Sequence, residues 1–205
     1  TAANTYNTAV GYNAGGNIST GAENTLIGGN AGDILDVGGN NIAVGSGSLT
    51  TDTKGSKSVA VGVSALATQN FTTATDSLNT AVGYQAGAAV TTGVQNTLVG
   101  YGSGDSLIDA DYNVALGTNA LAGDTYGSKS VAIGREALVT QNFTTATDSF
   151  NTAVGYAAGQ VVATGIKNTL IGALAGDSIT DGIQNTFVGH EAGQATTGGD
   201  YNVYV

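Results

Sequence analysis

A five-residue segment, Asn-Thr-Ala-Val-Gly at Asn7 to Gly11, returns in variant form along the whole chain. Its closing glycines are Gly11, Gly28, Gly45, Gly62, Gly83, Gly100, Gly117, Gly134, Gly155, Gly172 and Gly189. Eight of the ten intervals are 17 residues; Gly62 to Gly83 and Gly134 to Gly155 are 21, so four units make a higher period of 72. The segment Gln69 to Ser77 is repeated letter for letter at Gln141 to Ser149. Such self-similarity marks an array in which each unit packs only on its neighbours. A 17-residue unit is too short for a helical hairpin and lacks apolar spacing at i, i+3, i+4 and i+7. It fits one coil of two or three short strands. Residues 1–205 are therefore read as all-β, a single parallel β-solenoid array. Strands are expected around residues 7–10, 24–27 and 41–44, stacked at roughly 4.8 Å per coil, about 12 coils in about 55 Å, with helix close to nil.

Composition agrees with a thin rod. The 205 residues include 33 glycines and no proline, tryptophan or methionine, and aromatics are 6%, too few for a wide core filled by large side chains. No cysteine is present, which excludes disulfide frameworks, thiolate nucleophiles and Cys-ligated zinc. A net charge of −10 with five basic residues argues against nucleic acid and anionic membrane as partners. No apolar run approaches the roughly 20 residues of a membrane span, so no membrane insertion is expected of this segment.

The residue before each glycine is aliphatic: Val10, Ile27, Val44, Val61, Val82, Val99, Leu116, Ile133, Val154, Ile171 and Val188. This column is expected to line the solenoid interior, with Thr8, Thr25, Ile42, Val59 and their equivalents two residues earlier on the same strand face. The opposite face, Ala9, Leu26, Ala43, Ala60, Ala81, Leu98, Ala115, Ala132, Ala153, Leu170 and Phe187, is also apolar. A solvated strand face would turn polar there, so this second column is expected outside and buried against another copy of the chain. Ala or Ser stands three positions after each glycine and Gly or Leu stands fourth, recurrent corners that suit positive φ or close backbone approach. Asn7, Asn24, Asn41, Asn79, Asn96, Asn113, Asn151, Asn168 and Asn185 open most motifs and suit a turn with an amide ladder between coils.

The repeats Asn-Thr-Ala-Val-Gly-Tyr-x-Ala-Gly and Ser-Val-Ala-Ile-Gly-x-x-Ala-Leu (Ser130 to Leu138) resemble those of YadA-like heads of trimeric autotransporter adhesins, and equally the repeat arrays of phage tail fibres. The resemblance covers essentially the whole chain. It implies a left-handed β-roll, a homotrimer, and an extracellular place on a virion fibre or a bacterial outer surface. Where adhesin heads carry Asn-Ser-Val-Ala-Ile-Gly for collagen, this chain reads Lys57 to Gly62 and Lys129 to Gly134, so collagen binding is not carried over.

The function expected is that of a structural and adhesive fibre segment, with itself as the first partner and a host receptor or surface glycan as the second. No catalytic residue, metal site or cofactor is assigned. His190, the one histidine, is read as an exposed corner residue, and Asp33, Asp105, Asp124 and Asp177 as loop residues in Asx turns. Two features are candidates for binding. The four-residue insertions are expected to protrude with Phe71, Thr72, Thr73 and Phe143, Thr144, Thr145 at their heads. Tyr12, Tyr84 and Tyr156 recur at the 72-residue period and offer rings for sugars or receptor surface. The alternatives carried are a polysaccharide-cleaving tailspike, which needs paired carboxylates, and an ice-binding solenoid, which needs unbroken threonine ranks. The repeat register runs through both termini, so the chain is read as a fragment of a longer fibre.

Overall fold

The computed structural model describes residues 5–194, 196 and 199–205. Among them there is no helix. The strands in chain order are β1 (Thr8–Val10), β2 (Thr25–Ile27), β3 (Ile42–Val44), β4 (Gly55–Ser56), β5 (Val59–Val61), β6 (Thr75–Asp76), β7 (Thr80–Val82), β8 (Thr97–Val99), β9 (Val114–Leu116), β10 (Gly127–Ser128), β11 (Val131–Ile133), β12 (Thr147–Asp148), β13 (Thr152–Val154), β14 (Thr169–Ile171), β15 (Thr186–Val188) and β16 (Val203–Tyr204). Twelve of them form one parallel sheet, β1-β2-β3-β5-β7-β8-β9-β11-β13-β14-β15-β16, each motif paired in register with the next. The wide coils add two small parallel pairs, β4 with β6 and β10 with β12. This is a β-solenoid of about 11 turns.

The two strand faces are exchanged relative to the sequence expectation. Leu26, Ala43, Ala60, Ala81, Leu98, Ala115, Ala132, Ala153, Leu170 and Phe187 are fully buried in the core of one chain. The column from Val10 to Val188 points outward and is exposed or half-buried. The reason is volume. The coil is narrow, and the strand centre shares its slice with an inward residue four positions after the glycine and another seven positions after it. Three large side chains do not fit one slice, and the column free to shrink to alanine is the one that goes inside.

The inward columns compensate each other in a four-coil cycle. Where the strand centre is Leu26, Leu98 or Leu170, the corner residues are glycines in its own coil and the one before. A Cβ on Gly15 or Gly32 would stand 2.9 or 3.0 Å from the Leu26 methyls. Where the strand centre is alanine in the next two coils, the corner is Leu49 and Leu66, or Leu121 and Leu138, all fully buried. The column seven residues after each glycine reads Ile18, Leu35, Asp52, Gln69, then Val90, Leu107, Asp124, Gln141. Near the end the cycle changes at two places together, Phe187 for alanine and Gly193 for leucine; a Cβ on Gly193 would lie 2.4 Å from the Phe187 ring. Gly193→Leu alone is expected to cost about 3 kcal/mol through overpacking, and Phe187→Ala alone about as much through its cavity. The double variant should return to within about 1 kcal/mol of the parent, read by chemical denaturation.

An asparagine ladder closes the coil. The Asn24 N–H donates to Asn7 Oδ1 (2.8 Å), that of Asn41 to Asn24 Oδ1 (2.9 Å) and that of Ser58 to Asn41 Oδ1 (2.9 Å). Each amide also donates across the coil, Asn41 Nδ2 to Gly55 O at 2.9 Å for example. Serine cannot continue the ladder, and the 21-residue coil bridges the gap. Gln69 Nε2 donates to Asp52 Oδ2 (2.6 Å) and Ser58 Oγ (2.9 Å), while its Oε1 accepts from Asn79 Nδ2 (2.9 Å), where the ladder resumes. Gln141 repeats this with Asp124, Ser130 and Asn151. Asp124 stands in a turn between strands, as expected, with its Oδ1 accepting the Gly127 N–H at 3.0 Å, but its side chain is fully buried. Among the described residues no buried side-chain N or O lacks a partner.

Candidate functional site

The twelve-stranded sheet presents one regular outward face along the rod. Two columns cover it: Thr8, Thr25, Ile42, Val59, Thr80, Thr97, Val114, Val131, Thr152, Thr169 and Thr186, and the aliphatic column from Val10 to Val188. Neither column contains a charge. The period-2 rule places both on one face, because the intervening alanine or leucine is committed to the core.

Two corners flank this face. On the side after the core glycine stand Tyr12, Tyr84, Tyr101 and Tyr156, with Arg135 in the same column. Tyr12 is 83% exposed. The Tyr84 and Tyr101 rings stack, centroids 5.6 Å apart and planes 6° apart, so Tyr101, one coil on from Tyr84, belongs to the ridge although it breaks the 72-residue period. The Arg135 guanidinium lies 5.7 Å from the Tyr156 ring, donates to its hydroxyl at 3.3 Å and pairs with Glu136 at 2.6 Å. On the other side, the residue before each ladder asparagine takes a left-handed backbone, including Leu78 (φ 54°) and Phe150 (φ 51°). Both side chains are exposed, and Lys129 Nζ sits 5.2 Å from the Phe150 ring.

The insertion loops do not present their phenylalanines. Phe71 and Phe143 are only 5% and 7% exposed. The Phe71 N–H donates to Asp52 Oδ1 and its carbonyl accepts from Thr53 Oγ1 at 3.0 Å, so the ring plugs the base of the loop. Thr72, Thr73, Thr144 and Thr145 are exposed, as expected. The structure therefore separates the expected loop head into an anchor and a presented threonine pair. Exposed aromatics that sequence reasoning missed include Tyr101, Tyr112 and Phe150; for Tyr112 and Phe150 the position in the αL corner column is the signal that could have found them.

Chemistry-bearing groups stay dispersed. His190 is exposed, 3.9 Å from Glu191. Among the described residues no group of three His, Cys, Asp or Glu gathers to hold a metal. The hollow at the last coil is lined by Glu191, Gly193, Gln194, Thr196 and Tyr204, which brings one carboxylate and not the pair that glycoside hydrolysis uses. Partial burial pushes the Asp105 carboxyl above its ordinary 3.8, opposed by a hydrogen bond from its own backbone. A carboxyl raised on folding contributes stability below its unfolded pKa, and this is lost as pH rises through the folded value. Asp105→Asn should therefore give a small rise in melting temperature at pH 7 that disappears below pH 3.8, measured by calorimetry at both pH values.

In comparisons with known proteins, no family model, no curated protein and no solved structure matches this chain.

Proposed function

We propose that the chain is a rigid segment of a homotrimeric surface fibre, a left-handed β-roll that serves attachment outside the cell, on a virion or a bacterial surface, and catalyses nothing. The observation that carries this reading is the uncharged outward face, Thr, Val and Ile with one Leu in rank over eleven coils. A sheet face left to water ordinarily turns polar along each strand. The occupant that matches this one is another copy, because each copy carries the same stripe at the same pitch, and rods packed about a common axis match coil for coil. The Tyr84–Tyr101 ridge, Tyr12, Tyr156 and the Thr72–Thr73 and Thr144–Thr145 pairs supply contacts for a receptor or surface glycan, repeated along the rod and so multivalent.

The test is sedimentation. The parent should run as a trimer, and Val82→Arg or Ile133→Arg, each placing a charge on the uncharged face, should shift it to monomer with an unchanged circular dichroism spectrum. Thr72→Arg should leave the trimer intact. A monomeric parent at about 100 μM, or equal tolerance of all three substitutions, would overturn the reading.

One observation favours a second reading, an ice-binding face: the threonine column points outward at strand spacing. Ile42, Val59, Val114 and Val131 interrupt it. Inhibition of ice recrystallisation by the parent, kept by Tyr84→Ala and lost by Thr97→Tyr, would favour that reading instead.

A further inference from the structure

We infer that Asn70 and Asn142 are acceptor sites for N-linked glycosylation. Each opens an Asn-x-Thr triplet, Asn70-Phe71-Thr72 and Asn142-Phe143-Thr144, the pattern in which an asparagine amide is transferable to an activated sugar. The pattern alone is weak in a chain so rich in Asn and Thr, and the structure adds three things. Both asparagines and both threonines are exposed. The residue between them, which the transfer does not use, is the buried anchor of the loop, so the asparagine and the threonine stay at the surface with their backbone fixed between them. In each case the asparagine Oδ1 accepts a threonine hydroxyl, Thr53 at 3.1 Å and Thr125 at 2.9 Å, while Nδ2 has no hydrogen-bond partner among the described residues. The reacting nitrogen is the free end of the amide.

The chain contains its own comparison. Asn17-Ile18-Ser19 is a third triplet of the same pattern, and Asn17 is exposed too. There Nδ2 donates to Asp33 O at 2.7 Å, and the Ser19 hydroxyl is held by Asp36. The ladder asparagines have alanine, leucine or phenylalanine at the third position, the core residue of the strand, except for Asn202, where it is Tyr204, so none of them is an acceptor. In the transfer, Asn Nδ2 forms a bond to the anomeric carbon of a sugar carried on a lipid pyrophosphate. The C–O bond to the pyrophosphate breaks, the pyrophosphate leaves with the electron pair, and the amide proton passes to a base of the transferase. This does not rest on the trimeric fibre reading, since both sites lie in the insertion loops, away from the sheet columns.

The folded chain would be incubated with a single-subunit oligosaccharyltransferase of Asn-x-Ser/Thr specificity and its lipid-linked donor, alongside a Thr68 to Ser77 peptide as positive control. Intact mass should show two glycans, and cleavage by amidase in heavy-oxygen water should convert Asn70 and Asn142 to labelled aspartate. Asn70→Gln and Thr72→Ala should each remove one glycan, and Asn17 should be modified at least severalfold less. An unmodified folded chain beside a modified peptide, or Asn17 filled as fully as Asn70, overturns the inference.

Discussion

Gly83→Ala should lower stability by about 3–5 kcal/mol, read as a shift of the chemical denaturation midpoint, although it adds one methyl group. Gly83 has φ +142°, a region that side chains avoid, and its Cβ would stand 2.3 Å from Gly100 O. Backbone can move away only by breaking the bonds on both sides, Gly83 N to Val61 O and Gly100 N to Val82 O, each 2.8 Å. Gly29→Ala is the matching control. Its Cβ would meet nothing nearer than Ser46 Oγ at 3.9 Å, and the change should stay within about 0.5 kcal/mol.

Gln69→Leu should cost about as much, for a different reason. One side chain satisfies three buried groups, Asp52, Ser58 and Asn79, and leucine leaves each short of a partner at about 1–3 kcal/mol apiece before relaxation. Asp52 keeps its backbone donors from Gly55 (2.9 Å) and Phe71 (3.3 Å), so the coil should weaken and not lose its path. In a double-mutant cycle with Asp52→Asn, the two changes should be coupled by more than about 1 kcal/mol. Additivity would mean that the Asp52–Gln69 bond adds nothing to the coil.

The parts legible in the sequence are those in which one residue type has one explanation. The glycine column sets the coil length, and the recurring asparagine announces its ladder. The assignment of faces was not legible, because Ala60 and Val61 are both apolar and period 2 separates them without saying which points inward. The deciding quantity was the volume left by Leu66 in the same slice, visible only once the coil closes. The burial of Asp124 and Phe143 was hidden for a related reason. In a run of Gly, Thr and Asp a turn aspartate looks exposed, and an aromatic at an insertion looks like a tip. Here the aspartate is the acceptor that pins the insertion, and the phenylalanine is the plug beneath it. The presented threonines and Tyr84 were readable, being set by repeat phase alone.

The four-coil cycle of large and small core residues makes the rod's length a quantised quantity. Removing one coil, such as that of Leu26, would bring Gly15 against Ala43 with nothing to fill the space between. Removing four from the regular part of the array restores the alternation of large and small inward residues. Length can therefore change by duplication or deletion without penalty only in steps of 72 residues, about 19 Å of rod each. Each step keeps one wide loop at the same angular position. Any lineage that lengthens or shortens such a rod inherits its surface landmarks at that fixed spacing, whatever the total length.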